Sequence, residues 1–167
     1  MAEVPASLQD VVGDLYDIDV GDIDGDGDED IVTTNCTTST PFDEIVLVND
    51  DGDLVRDDSA LPGGVGDACV VGTLLVDIEG DGDLDVFFGG TRSLNDTRIA
   101  GRVYVNDGTG TFHDASDALS LGDDALQINN FAAGDLDDDG DVDIVAAAGA
   151  PYFERFLPGA VLVLELE

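Results

Sequence analysis

The stretch DIDGDGDED, residues 22–30, places six acidic side chains and two glycines in nine positions. Asp22, Asp24 and Asp26 alternate, and Asp30 closes the run just before an apolar stretch. In a tightly turning loop, alternate carboxylates point toward one centre, and glycine permits the positive φ that such a turn demands. Four carboxylates at that spacing repel strongly unless a cation sits among them. Carboxylate oxygens, with a backbone carbonyl at Asp28, suit Ca2+, which accepts roughly 6–8 oxygen ligands in flexible geometry. Mg2+ prefers a smaller, stricter octahedron, and Zn2+ would want His or Cys, which this loop lacks.

The pattern occurs three times. DIEGDGDLD begins at Asp77 and DLDDDGDVD at Asp135, giving intervals of 55 and 58 residues. An EF-hand loop would need a Glu at its twelfth position, where these loops carry Thr33, Phe88 and Ala146. The calcium β-roll is excluded by its much shorter period of about nine residues. The competing explanation is a solvated acidic turn that holds no ion. Three copies in one register, each with the ninth-position Asp ahead of a strand, favour calcium.

The elements around the loops repeat as well. Ahead of each loop lies an apolar stretch (YDIDVG, GTLLV, NNFAAG), and behind it a β-branched or small apolar run (DIVTTN, DVFFGG, DIVAAAG). Farther on, EIVLVNDDGDLVRD matches GRVYVNDGTGTFHD, two alternating strands around an Asp/Gly turn, which is a hairpin signal. No segment carries a helical period. Each unit therefore reads as four short antiparallel strands, with the acidic loop joining the first to the second. The fold expected is all-β: about three four-stranded β-propeller blades at 9–58, 66–115 and 124–167, in a single repeat domain spanning 1–167. The third unit reaches AVLVLELE, a third strand, and residues 3–8 resemble the segments following a fourth strand, so 1–8 are expected to supply an outer strand. Three blades make a partial propeller or half of an oligomeric ring, and two copies of the chain would give six.

DxDxDGxxD before an apolar strand, with a VxVNDGTGTF-type hairpin downstream, resembles the FG-GAP/VCBS repeats of integrin-α-like β-propellers. The name-giving FG-GAP stretch is kept only loosely, as VGT at 71–73 and NFAAG at 130–134. The likeness is thus closer to microbial secreted VCBS proteins than to integrins. In that family the first, third, fifth and ninth loop positions give side-chain oxygens and the seventh a main-chain carbonyl. The resemblance implies ligands Asp22, Asp24, Asp26, Asp28 and Asp30 in the first loop. It implies Asp77, Glu79, Asp81, Asp83 and Asp85 in the second, and Asp135, Asp137, Asp139, Asp141 and Asp143 in the third. Glu79 departs from the usual Asp or Asn, and its extra methylene predicts the weakest or most distorted site there.

Composition narrows the partners. The chain has 39 Asp and Glu against five Arg and no Lys, a net charge of −34, while its 43% hydrophobic content suffices for a core. Phosphate binding needs clustered cations, so nucleic acid and anionic membrane surfaces are excluded as partners. No apolar run approaches the roughly 18 residues of a membrane span, so no membrane insertion is expected. MAEVPASL lacks the basic start and apolar stretch of a leader, so the protein is either intracellular or written here after leader removal. Read with the repeat resemblance, the second holds and the location is extracellular or cell surface. The three loops absorb 12 of the 39 acids as side-chain ligands, and the remaining acidity is that of a high-salt or secreted acidic protein. Cys36 and Cys69 form no CxxC pattern; two buried free thiols and a bridge between adjacent blades both fit.

Catalytic groups are sparse. His113 is the only histidine, so no Ser-His-Asp set can be assembled. Arg92, Arg98 and Arg102 cluster in and beside TRSLNDTRIAGR as local counter-charge, and Tyr152, Phe153 and Phe156 form a contact patch or cover a sheet end. The function expected is a calcium-binding, non-enzymatic propeller module with about three structural Ca2+ sites. It would act as an extracellular recognition or adhesion scaffold for a protein or glycan. The rival readings are a carbohydrate-binding propeller lectin and a non-catalytic part of a polysaccharide-active enzyme.

Overall fold

A computed structural model describes residues 8, 14–36, 44–62, 69–91, 101–116, 127–149 and 160–164. Among these, eleven strands form three antiparallel sheets, with no α-helix. Sheet A runs β1(Leu15–Gly21), β2(Asp30–Asn35), β3(Ile45–Asp50), β4(Asp53–Arg56) in that spatial order. Sheet B repeats it with β5(Cys69–Val76), β6(Asp85–Thr91), β7(Gly101–Asn106) and β8(Phe112–Asp114). Sheet C contains β9(Gln127–Gly134), β10(Asp143–Gly149) and β11(Ala160–Leu164). The four-strand unit read from the sequence is thus present twice, and the third unit shows three strands among the described residues. Of the proposed outer strand at 1–8, only Leu8 is described; Arg92, Arg98, Tyr152, Phe153 and Phe156 also lie outside the described residues.

Turn chemistry sets the hairpins. Asp51 and Gly52 both adopt positive φ, 53° and 95°, between the paired Asp50 and Asp53. That is the two-residue turn whose twist matches the flanking strands. Sheet B closes its outer hairpin with a longer turn, in which the Asp107 N–H donates to the Thr111 carbonyl at 3.1 Å.

Two apolar layers hold the sheets together, one on each face of sheet B. Val86, Phe88, Tyr104 and Phe112 pack against Val32 and Val46 of sheet A and against Ile23 in the loop between β1 and β2, with Phe88 and Tyr104 edge to face at 6.0 Å. Phe87 and Val103 point the other way, onto Ile128, Phe131, Ile144 and Ala146 of sheet C. A strand buried on both faces needs apolar residues at consecutive positions, which explains why β6 reads DVFF rather than alternating. Each fully buried large apolar side chain contributes about 1.5–3 kcal/mol.

The first strand of each sheet lies against that of the next, and each carries a register shift at a similar place. The shifts fall between Leu15 and Ile18, between Val70 and Gly72, and between Ile128 and Asn130. Gly72 sits so near sheet C that a Cβ there would come within 2.9 Å of the Asn129 carbonyl oxygen. Two carboxylates bridge β1 to β5. Asp17 accepts the N–H groups of Ile18 and Thr73, both at 3.1 Å. Asp19 accepts those of Val20 at 2.9 Å and Leu75 at 2.8 Å. At the opposite end of these strands, Cys36 and Cys69 form a disulfide across sheets A and B, with Cα atoms 4.4 Å apart.

Candidate cation-binding loops

The three acidic loops, 22–30, 77–85 and 135–143, each join the first strand of a sheet to the second. Their fourth and sixth positions are all left-handed: Gly25 and Gly27, Gly80 and Gly82, and Asp138 and Gly140 have φ between 65° and 101°. Asp138 occupies this region without glycine, a conformation that Asp tolerates better than most residues.

That backbone curls onto the first carboxylate. Asp22 accepts N–H bonds from Gly25 at 2.8 Å and Gly27 at 3.0 Å. Asp77 accepts from Gly80, Asp81 and Gly82 at 2.8, 3.1 and 3.0 Å, and Asp135 from Gly140 at 3.1 Å. In the first and third loops, the carboxylates of Asp22, Asp24 and Asp30 and those of Asp135, Asp137 and Asp143 gather with oxygens within 4.8 Å of one another. The donor set is wholly hard oxygen, which fits Ca2+ in the donor chemistry and in the small spread of the atoms.

Positions five and seven follow different rules. The fifth-position acids stand outside the gathered groups: Asp26 and Asp139 accept the N–H of Asp28 and Asp141, at 2.8 and 3.0 Å. Asp28 turns its side chain to the Asp51 N–H at 3.1 Å. Among the described residues, the second loop gathers no such trio, and Glu79 is where it departs from the other two.

The ninth-position aspartates have a role that the sequence did not disclose. Asp30 is fully buried, and its two oxygens accept the N–H groups of Ile23 at 2.9 Å and Asn49 at 2.8 Å. Asp85 does the same with Ile78 and Asn106, both at 2.8 Å, and Asp143 accepts from Leu136 at 2.7 Å. These residues therefore brace the loop against its own sheet. Burial pushes the Asp85 carboxyl up to about 6, opposed by those N–H bonds and aided by Glu79 and Asp81. Asp30 is raised for the same first reason, with Asp24 and Asp26 adding to it. Asp137 is raised by desolvation and by its carboxylate neighbours, led by Asp139. A cation would relieve this crowding, because it favours the charged form of every group around it.

Asn49 and Asn106 are the other residues that sequence reasoning passed over, reading VND only as a hairpin signal. The Asn49 side chain donates to the Glu29 carbonyl at 3.1 Å and accepts from Gly52 at 2.9 Å. Asn106 donates to the carbonyls of Leu84 at 3.1 Å and Ile23 at 2.7 Å. The repeated Asn at the end of a strand of alternating apolar residues was the available signal.

The sequence model of the FG-GAP-like repeat matches residues 77–146, from the head of the second loop into β10. The chain carries an FG-GAP-like repeat. No curated protein matches it. The FG-GAP-like stretch contains both the second and third loops, and sheet A, outside it, repeats the same strand, loop, strand and hairpin.

Proposed function

We propose that this protein is a calcium-binding, non-enzymatic β-propeller module whose Ca2+ is structural and whose surfaces serve extracellular recognition. The observation that carries the reading is the gathering of Asp22, Asp24 and Asp30, and of Asp135, Asp137 and Asp143, at equivalent turns of successive sheets. The loops would hold the cation through these carboxylates, with the carbonyls of Asp28 and Asp141 beside them. Bound there, Ca2+ neutralises the gathered charge and fixes the turn between the first two strands, so its binding energy adds to folding stability. The disulfide supports an oxidising location. His113, exposed and 4.0 Å from Asp107, supports a surface role rather than a catalytic one. A melt with and without chelator tests the proposal: full calcium removal is expected to lower Tm by at least several degrees, and an unchanged Tm overturns it.

A second reading concerns assembly. Ile18 and Val20 on β1 are 59% and 52% exposed, on the face turned away from sheet B. Val161 and Val163 on β11 are 69% and 49% exposed, paired with the β10 residues that face away from sheet B. We infer that a second copy covers these faces, completing a ring by the same sheet-on-sheet stacking. Sedimentation equilibrium showing a strict monomer with a cooperative melt overturns it.

A further inference from the structure

The turn at 106–111, between β7 and β8, is wedged between two acidic loops. A Cβ on Gly108 would lie 2.4 Å from Asp83 Oδ2, and one on Gly110 would lie 3.2 Å from the Cβ of Asp24. Both glycines have positive φ, 79° and 74°, so at these two positions the turn takes a bare left-handed backbone. At its head stands Asn106, with 4% exposure. Its main-chain N–H donates to Asp85, and its side-chain amide donates to Leu84 in the second loop and Ile23 in the first. Ile23 in turn donates its N–H to Asp30. The path Asp85, Asn106, Ile23, Asp30 thus joins the closing carboxylates of two loops on different sheets, and all four residues are buried.

We propose that Asn106 couples the first two loops, so that filling the second with a divalent cation tightens the first. This rests on the calcium reading above, extended to the second loop through its own oxygen donors Asp77, Glu79, Asp81 and Asp85. Asn106 commits its amide to carbonyls on two sheets and its main chain to a third group, in a setting where water cannot replace a lost bond cheaply. The turn is therefore either seated with all three bonds made or displaced with them lost. That gives a two-state element which both loops bias. A cation fixing 83–85 favours the seated turn, and the seated turn fixes Ile23 and so Asp30. By reciprocity, the first loop acts on the second by the same factor.

Calorimetric titration of the full chain with CaCl2 tests this in four versions: wild type, Asp81→Ala, Asn106→Ala and the double variant. Asp81→Ala is expected to weaken calcium at the first loop about fivefold or more when Asn106 is present, and only slightly in the Asn106→Ala background. The Coulombic effect of deleting one carboxylate persists in both backgrounds and cancels in the comparison. An Asp81→Ala effect of equal size in both overturns the coupling, whatever Asn106→Ala does to Tm. Asn106→Ser, too short to reach both carbonyls, repeats the test should Asn106→Ala not fold. Absence of calcium uptake by the wild type would instead overturn the calcium reading. The coupling is then decided in calcium-free protein by NMR. Asp81→Ala is expected to shift the Ile23 and Asp30 amide resonances only where Asn106 is present, and unshifted resonances overturn it.

Discussion

At the scale of single residues, the acidic loops divide their carboxylates between two tasks. Positions one and three gather toward a common centre, whereas the ninth also holds the backbone of its own sheet. Asp30→Ala should therefore cost stability even without metal, because it strands the buried N–H of Ile23 and the half-buried N–H of Asn49. The expected loss is about 1–3 kcal/mol in urea unfolding with chelator present. An unchanged midpoint would show that the brace contributes nothing. Glu79 is the matching test in the second loop. Shortening it to Asp is expected to tighten calcium there several-fold by calorimetry, and unchanged affinity would show that its length is not what scatters the trio. Away from the loops, the Asp57 carboxyl is held below its ordinary value, chiefly by the Ser59 hydroxyl and then its N–H. A depressed folded pKa means that this stabilisation is present above the ordinary carboxylate value and lost as pH falls through the folded one. Ser59→Ala should move the Asp57 titration upward when followed by NMR.

At the scale of elements, stacking depends on close approach at specific points. Gly72 meets the Asn129 carbonyl, so Gly72→Ala must push sheet C away from sheet B. A destabilisation of about 1–3 kcal/mol is expected, visible as a lower urea midpoint. Full stability would mean that β9 shifts freely. Sheets A and B are joined differently, by the Asp17 and Asp19 bridges and by the disulfide, which closes a sequence separation of 33 residues. Reducing that bond should destabilise the chain by about 3–4 kcal/mol on the loop-entropy account. A Cys36→Ser/Cys69→Ser variant with wild-type Tm would contradict it.

At the scale of the whole molecule, charge opposes compaction. A net of −34 with only five arginines leaves strong self-repulsion, and salt screens it over a Debye length of about 8–10 Å near physiological ionic strength. Tm in chelator should rise steadily as NaCl is added from low ionic strength. A flat response would place the repulsion in the unfolded chain as much as in the folded one.

The sequence by itself determined the all-β class, the three loops, their left-handed glycine positions and the hairpins. Each of these is a local property: a period of two, a turn needing positive φ, a carboxylate spacing within nine residues. Only the tertiary structure decided that Cys36 pairs with Cys69, that Asp17 and Asp19 reach β5, and that Asn106 touches Ile23. Those last partners stand 56 and 83 residues apart in the chain, and nothing local in YDIDVG or VND signals them. Sheet stacking brings them together, and stacking is set by which apolar face each strand buries. For the same reason the sequence read four equivalent carboxylates per loop. The folded loop gathers three in two of its copies, while the remaining acid accepts the N–H two residues on.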